Sequence, residues 1–379
     1  MAPLLPVAAS LIAGIAAGRY WAEASLYGLP LLVVALVLTA LAHRLPRWQT
    51  AGIYVSTLLL GYCLSAHEVQ WPKPATLRQA RHNMLQFRTT LTSQYEAAGL
   101  DGEAYAIVAA MTLGDKSALT TDMRHSYNTT GAAHVLALSG LHLSIIYWFI
   151  TLLTAGRRRH WLIQAVTILT VWAFAFLTGL APSIVRAATM LTVYALMNIG
   201  YRRGASVNVL AFTAIVTLLL TPSAVFDIGF QLSYLAVLGI LLFYPHLYGL
   251  IPADFLQRHR LVRTLWAMVV VSCAAQIAVA PVIAFYFHRF SPYFLLANIV
   301  VIPEAYLILT GGVVLLFSGS ALVASALTAT ALTAGNLLTV IARLPGASIS
   351  PLHPTLAQTL LLYVVIGSLY VVVTRFRPE

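Results

Sequence analysis

Long apolar runs separated by short polar segments make up most of this chain. A membrane-crossing helix needs about 20 mostly apolar residues. Runs of that kind fall near residues 4–18, 29–42, 51–66, 132–155, 161–180, 184–200, 205–221, 229–248, 264–286, 292–317, 320–342 and 356–374. The pattern predicts an all-α polytopic integral membrane protein of about twelve transmembrane helices, with broken or re-entrant segments among them. The first two runs are short, and Pro303 marks a break inside the long 292–317 run.

Two stretches depart from this pattern. Residues 67–103 form the one long polar segment, with Leu77, Met84, Leu85 and Leu91 at roughly helical spacing. They predict one or two amphipathic helices lying at the membrane surface, too short for a domain with its own core. Residues 104–119 hold an apolar run of about ten residues, too short to span, which predicts a re-entrant or interfacial piece. The chain thus divides into a three-span N-terminal membrane segment (1–66), an extracytoplasmic amphipathic segment (67–103) and a membrane core (104–379).

Charge adds an orientation. With twelve spans threaded, the basic clusters at 43–47, 157–160, 201–203, 258–263 and 375–379 all fall on one side. The positive-inside rule makes that side cytoplasmic and places both termini there. Arg289 and Arg343 are single exceptions on the outer side. The composition agrees: 60% of residues are hydrophobic, 9% are charged, and the mean hydropathy is +0.85. A soluble globular chain carries about 25% charged residues, so that class is excluded. The net charge of +11 fits the orientation rule, and it also fits a polyanionic ligand such as nucleic acid or anionic lipid. Cys63 and Cys273 sit in apolar runs and read as small core residues, with no disulfide framework or Cys-based metal site. The N-terminus lacks a basic leader and reads as a retained first span. "GIAAG" (14–18) is a GxxxG pattern suited to close helix packing.

The candidate chemistry centres on "AHVLALSGLHLS" (133–144), where His134, Ser139, Gly140 and His142 interrupt an apolar run. On one continuous helix, turning about 100° per residue, His134, Ser139 and His142 share a polar, small-residue arc with Asn128 and Gly131. Such a stripe faces a bundle interior or a water-filled cavity. Three readings fit it: hydrogen-bonding glue between helices, a Ser139 nucleophile with a histidine base, and a path for a polar substrate. No G-x-S-x-G elbow accompanies the serine. Arg186, in "APSIVRAATM", lies just inside a span and reads either as part of the path or as snorkelling to the outer interface. Asp227, Gln231, Ser233 and Tyr234 open another span, while Gln276, Pro281, Asn298, Pro303 and Glu304 lie at membrane depth. Aromatics near these segments, Phe287 among them, suit an interfacial belt or base-stacking platforms.

"TLGDKSAL", followed about a dozen residues later by "GAAHVLALSGLHLSII", resembles the ComEC family of bacterial competence DNA-uptake channels. "SIVRAATM", "DIGFQLSYLAVLGI" and "APVIAFYFHRFSPYFLLANIVVIP" fit the same family in the same order, over residues 104 to 305. The resemblance implies a channel, not an enzyme, with no cofactor and no metal. It would sit in the bacterial inner membrane and pass single-stranded transforming DNA from periplasm to cytoplasm. By the same resemblance Asp115, His134, Ser139, Gly140, His142, Arg186, Gln231 and Asn298 would line the substrate path. The implied partners are single-stranded DNA, the lipid bilayer, a periplasmic DNA receptor, a cytoplasmic translocation ATPase and a separate nuclease. A homo-oligomer is one way to build the path, because the spans hold few basic residues. Larger family members carry an OB-like domain and a metallo-β-lactamase-like domain. Residues 67–103 are too short for an OB barrel and no H-x-H-x-D-H cluster occurs, so the resemblance extends to the channel core alone. A small-molecule or lipid-linked transporter on the same core is the alternative, followed by an intramembrane serine hydrolase acting through Ser139.

Overall fold

The computed structural model describes residues 3–21, 25–67, 75–154, 161–199 and 206–375. The basic clusters at 157–160 and 201–203, residues 68–74 and 376–379, and the side chain of Leu77 lie outside the described residues. Among the described residues there are α-helices and short 3-10 turns but no strand. In chain order the helices are α1 (Leu4–Tyr20), α2 (Ser25–Leu41), α3 (Pro46–Ala66), α4 (Ala75–Ala97), α5 (Gly102–Leu113), α6 (Thr121–Thr129), α7 (Ala133–Leu136) and α8 (Gly140–Leu153). There follow α9 (Trp161–Leu177), α10 (Pro182–Ile199), α11 (Ser206–Leu220), α12 (Ile228–Tyr248), α13 (Ala253–Arg258), α14 (Arg260–Phe287), α15 (Phe294–Ser318), α16 (Ala321–Ala342) and α17 (Leu356–Arg375).

Each predicted apolar run falls on a helix or a helix pair. The stretch Tyr27–Arg44 and helices α12, α14, α15, α16 and α17 are long and apolar enough to cross a membrane, and α1, α8, α9, α10 and α11 are shorter apolar helices. The protein is an all-α, multi-pass membrane protein. Two local expectations change. The run 132–155 is two helices with an extended break between them. Pro303 does not break α15, which runs unbroken through it. A proline removes one backbone donor, and membrane helices tolerate that loss where neighbours re-satisfy the freed carbonyl.

The chain forms two compact units: residues 1–75 with 189–234, and residues 76–188 with 235–379. In the first, α1 packs along α3, with α2 beside α3 and α11 against α1. A Cβ added at Gly14 would run into the Leu58 backbone, and one added at Gly61 would run into the Leu11 carbonyl oxygen. Lipid offers no hydrophobic drive for helix association, so this close backbone approach supplies the packing contacts. The Tyr62 hydroxyl donates to the Trp21 carbonyl (2.8 Å), tying the far end of α3 to the end of α1.

The second unit is built around α5. Ala104 and Ala106 to Leu113 are all buried, so α5 is apolar and covered on every side. The interfacial expectation for 104–119 therefore gives way to a core helix wrapped by protein, which has no need of membrane-spanning length. α15 and α16 pack against it. Gly312 of α15 permits this approach, because a Cβ there would lie 2.6 Å from the Thr112 methyl and 3.1 Å from the Tyr95 hydroxyl. Tyr95 of α4 donates to Thr112 Oγ1 (3.1 Å), which donates to the Val108 carbonyl (2.6 Å). The polar segment thus supplies one 23-residue helix that turns Thr92 and Tyr95 into the core and leaves most of its other residues exposed.

Candidate functional site

The break inside 133–144 has a local cause. Ser139 is extended (φ −140°, ψ 174°) and caps α8: its Oγ accepts from the Leu141 N–H (3.3 Å). His142, three residues on, accepts the Ser139 N–H at Nδ1 (3.2 Å), completing a reciprocal capping box. Gly140 starts α8, while α7 ends with Ala137 extended. The continuous polar arc expected for 128–142 is therefore absent. The polar residues gather at a helix start, and the S-x-x-H spacing is the signal that marks it.

Four sequence blocks meet at this break. Gly114, in a left-handed conformation (φ 73°), ends α5 where the Leu138 side chain occupies the place a Cβ would take. The next residue, Asp115, accepts the Ser117 N–H (3.0 Å) at Oδ1. From α10, the Ser183 hydroxyl donates to the Leu138 carbonyl (2.6 Å), and Ala187 Cβ lies 3.6 Å from the position of a Cβ on Gly140. From the start of α15 and the turn before it, Phe294 and Ser291 lie against Gly131 (φ 80°). His134, exposed, donates from Nδ1 to the Gly131 carbonyl (3.1 Å) and lies within electrostatic reach of His142.

In this unit several polar atoms are buried with bonding capacity left over among the described residues. His142 is fully buried. Because Nδ1 accepts a backbone N–H, the ring proton sits on Nε2, and that N–H is buried without a partner among the described residues. Asn298 on α15 donates to Ser272 Oγ of α14 (3.0 Å), and its Oδ1 is buried and unmet. Glu304, 3% exposed, accepts from the Tyr127 hydroxyl (3.3 Å) at Oε1 and leaves Oε2 unmet. An unsatisfied buried polar atom costs about 1–3 kcal/mol, so a group of them asks for a reason. Arg186 is buried at 6% exposure, inside the unit rather than snorkelling outward. Glu304 stood out as a carboxyl in an apolar run; its partner Tyr127 carried no signal in the sequence.

Just outside the junction, Lys116, Arg124 and Asn128 line a crevice of about 160 Å³. The Arg124 guanidinium donates to the Lys116 carbonyl (2.8 Å). Burial pulls the Lys116 ammonium below its ordinary value, and the Arg124 charge adds to this. Burial pushes the Asp115 carboxyl up, but the Ser117 amide and hydroxyl and the Arg88 charge outweigh it and hold it below the usual carboxylate range. Gln231 belongs to the other unit. There it donates to the Val225 carbonyl (3.0 Å), while Asp227 caps α12 through the Phe230 N–H (2.8 Å). Among the described residues no three His, Cys, Asp or Glu side chains converge as a metal-ligand set. Ser139 Oγ lies 3.3 Å from His142 Nδ1. A nucleophile–base pair needs the base oriented by a third group, and His142 Nε2 has none, so the contact reads as a cap.

The family model for competence proteins matches residues 111–376, the stretch that holds this junction. The chain belongs to the competence protein family. It is 31% identical over 227 residues to ComE operon protein 3 of Bacillus subtilis (strain 168), covering 59% of this chain and 28% of that protein. It is 24% identical over 258 residues to the uncharacterized protein YcaI of Escherichia coli (strain K12), covering 64% and 32%. An uncharacterized protein of Aquifex aeolicus (strain VF5) is 31% identical over 156 residues, 41% of this chain and 37% of the relative. The chain spans about a third of the length of the curated relatives it matches. No solved structure matches.

Proposed function

We propose that this competence-family chain is an inner-membrane channel core that passes single-stranded transforming DNA from periplasm to cytoplasm. The observation that carries the reading is the convergence of the family's sequence blocks on one helix break at Leu138–Gly140, beside buried polar atoms with unmet bonds. A helix start and interrupted backbone at membrane depth are tolerated where they line a cavity or lie inside protein. His134, Ser139, Gly140, His142, Arg186 and Asn298 then form the polar wall of the path, with Asp115 at its mouth; Gln231 is assigned to the path by its sequence block alone. Both termini face the cytoplasm. Residues 1–66 act as an N-terminal membrane segment, 67–103 as extracytoplasmic helix and 104–379 as channel core. Transport needs no chemical step here. DNA capture, ATP-driven pulling and strand degradation fall to a periplasmic receptor, a cytoplasmic translocation ATPase and a separate nuclease, and the path is completed by one chain or by several copies.

Photo-crosslinking during uptake tests this. A crosslinking residue at position 134 should capture transforming DNA in transit, and one at the exposed Leu361 of α17 should not. Equal capture at both positions, or none at 134 while uptake proceeds, would overturn the assignment of the path.

A further inference from the structure

A second, larger cleft lies in the same unit as the helix break. It has a volume of about 650 Å³ and is lined by His125 and Thr129 of α6, by Phe287, His288 and Arg289 at the end of α14, and by the loop after α16. None of its lining residues is acidic. We propose that this cleft is a docking site for the phosphodiester backbone of a single nucleic-acid strand, with Phe287 as the platform for a base. The proposal rests on the channel reading only in taking a single strand as the cargo that reaches this face.

Four observations point to it. Among the described residues no hydrogen bond or ion pair engages the Arg289 side chain, which lies partly exposed in the wall of the cleft. Arg289 and Arg343 also stand on the side where the expected orientation disfavours basic residues, and Arg343 lies between the lining residues Ala342 and Leu344. A cation kept on the side that orientation disfavours is explained by an anion that meets it there. Next, the wall is held in place before any ligand arrives. His288 is left-handed (φ 55°) and donates from Nδ1 to the Leu352 carbonyl (3.0 Å), while the Leu352 N–H donates back to the His288 carbonyl (2.8 Å). Phe290 and Ile349 exchange backbone bonds (3.0 and 2.8 Å), and the Tyr293 hydroxyl donates to the Pro345 carbonyl (3.0 Å). A wall fixed in advance loses little freedom on binding.

Then there is an aromatic beside the charge: Phe287 is 44% exposed at the last turn of α14. A basic groove with an exposed ring is the combination by which proteins hold single strands without reading sequence. Last, the wall of the cleft is joined to the segment that precedes the helix break. Ser291, two residues beyond Arg289, donates to the Ala347 carbonyl (3.1 Å) of the cleft loop, and its Cβ lies 3.3 Å from the place of a Cβ on Gly131. A strand held in the cleft would therefore lie against the wall that packs on Gly131, three residues before His134.

The test is binding of a fluorescent oligothymidine, about 15 nucleotides long, to the purified full chain in neutral-lipid nanodiscs across a salt series. The double variant Arg289→Ala/His125→Ala alters two partly or fully exposed side chains, so the fold is expected to survive. It should weaken binding by about tenfold and lower the slope of log K against log salt by about 0.7 for each phosphate the protein no longer neutralises. Phe287→Ala should weaken binding by about fivefold with the slope unchanged. The control Arg260→Ala/Arg263→Ala removes charge at the other end of the 28-residue α14, roughly 40 Å away, and should bind as wild type does. Wild-type binding by the cleft variant, or equally weakened binding by the control, overturns the proposal. So does binding to nanodiscs enriched in an anionic lipid without binding to the oligonucleotide, which would make the cleft a headgroup site. The channel reading is tested separately: unchanged binding in the cleft variants, with uptake still dependent on the chain, removes the cleft and leaves the channel.

Discussion

Two substitutions at His142 separate the two tasks of its ring. Nδ1 holds the Ser139 N–H and so maintains the start of α8, while Nε2–H is buried and unengaged among the described residues. His142→Gln places at the third helical position the residue type that completes a capping box, so the Ser139 N–H keeps an acceptor while Nε2–H is removed. His142→Ala leaves that N–H without its acceptor, at about 1–3 kcal/mol, and empties the space of a fully buried ring, for a total of about 2–4 kcal/mol. For a chain of this size each kcal/mol moves the thermal midpoint by about 1–2 °C. In detergent, His142→Ala should therefore melt roughly 2–8 °C below wild type, and His142→Gln within about 2 °C of it. Uptake of labelled DNA, normalised to protein level, should fall by about tenfold or more in both, as expected when one hydrogen bond to a charged group is removed. Wild-type uptake by His142→Gln would make His142 a cap and nothing more. A His142→Ala protein that melts with wild type would refute the capping argument itself.

Tyr127→Phe removes the hydrogen-bond partner that a buried carboxyl has among the described residues and should lower stability by about 1–3 kcal/mol, read as a thermal midpoint; Glu304→Gln, which keeps an acceptor for that hydroxyl, should cost less, and the reverse order would refute the pairing. Gly61→Leu should separate α1 from α3 and cut the yield of monodisperse protein several-fold by size exclusion, with Gly61→Ala intermediate, because even a Cβ collides there. The Asp115 carboxyl is held below its ordinary value, so its contribution is complete above the unfolded value and is lost as pH falls through the lower folded one. The midpoint difference between wild type and Asp115→Asn should be flat above about pH 5 and shrink below about pH 4, and a difference that grows toward acid would contradict this. With Cys63 and Cys273 replaced, an impermeant maleimide added to intact cells should label a cysteine at Gly346 but not one at Arg258; the opposite pattern would invert the topology.

The fold class was legible because a run of about 20 apolar residues has few other uses. The position of α5 was not, since its apolar residues number too few to span and the sequence does not say that protein surrounds them on every side. The break at Ala137–Ser139 was hidden for a related reason. A helical wheel assumes continuity, and a capping box built from Ser139 and His142 interrupts the helix without changing the hydropathy of the run. Ser139, Gly140 and His142 therefore form a helix start and not one side of a continuous helix. The pairing of Tyr127 with Glu304 joins positions 177 residues apart, which no local pattern encodes. Arg289 was visible as a charge at odds with the expected orientation, but the cleft it lines is closed by a loop some fifty residues later in the chain.

The most direct test of the channel is where labelled transforming DNA stops in a naturally transformable host that carries this protein. With the gene deleted, DNA should collect in the periplasm and fail to reach the cytoplasm, and expression of wild type, but not of His142→Gln, should restore its passage. DNA that reaches the cytoplasm at the normal rate in the deletion strain would contradict the channel.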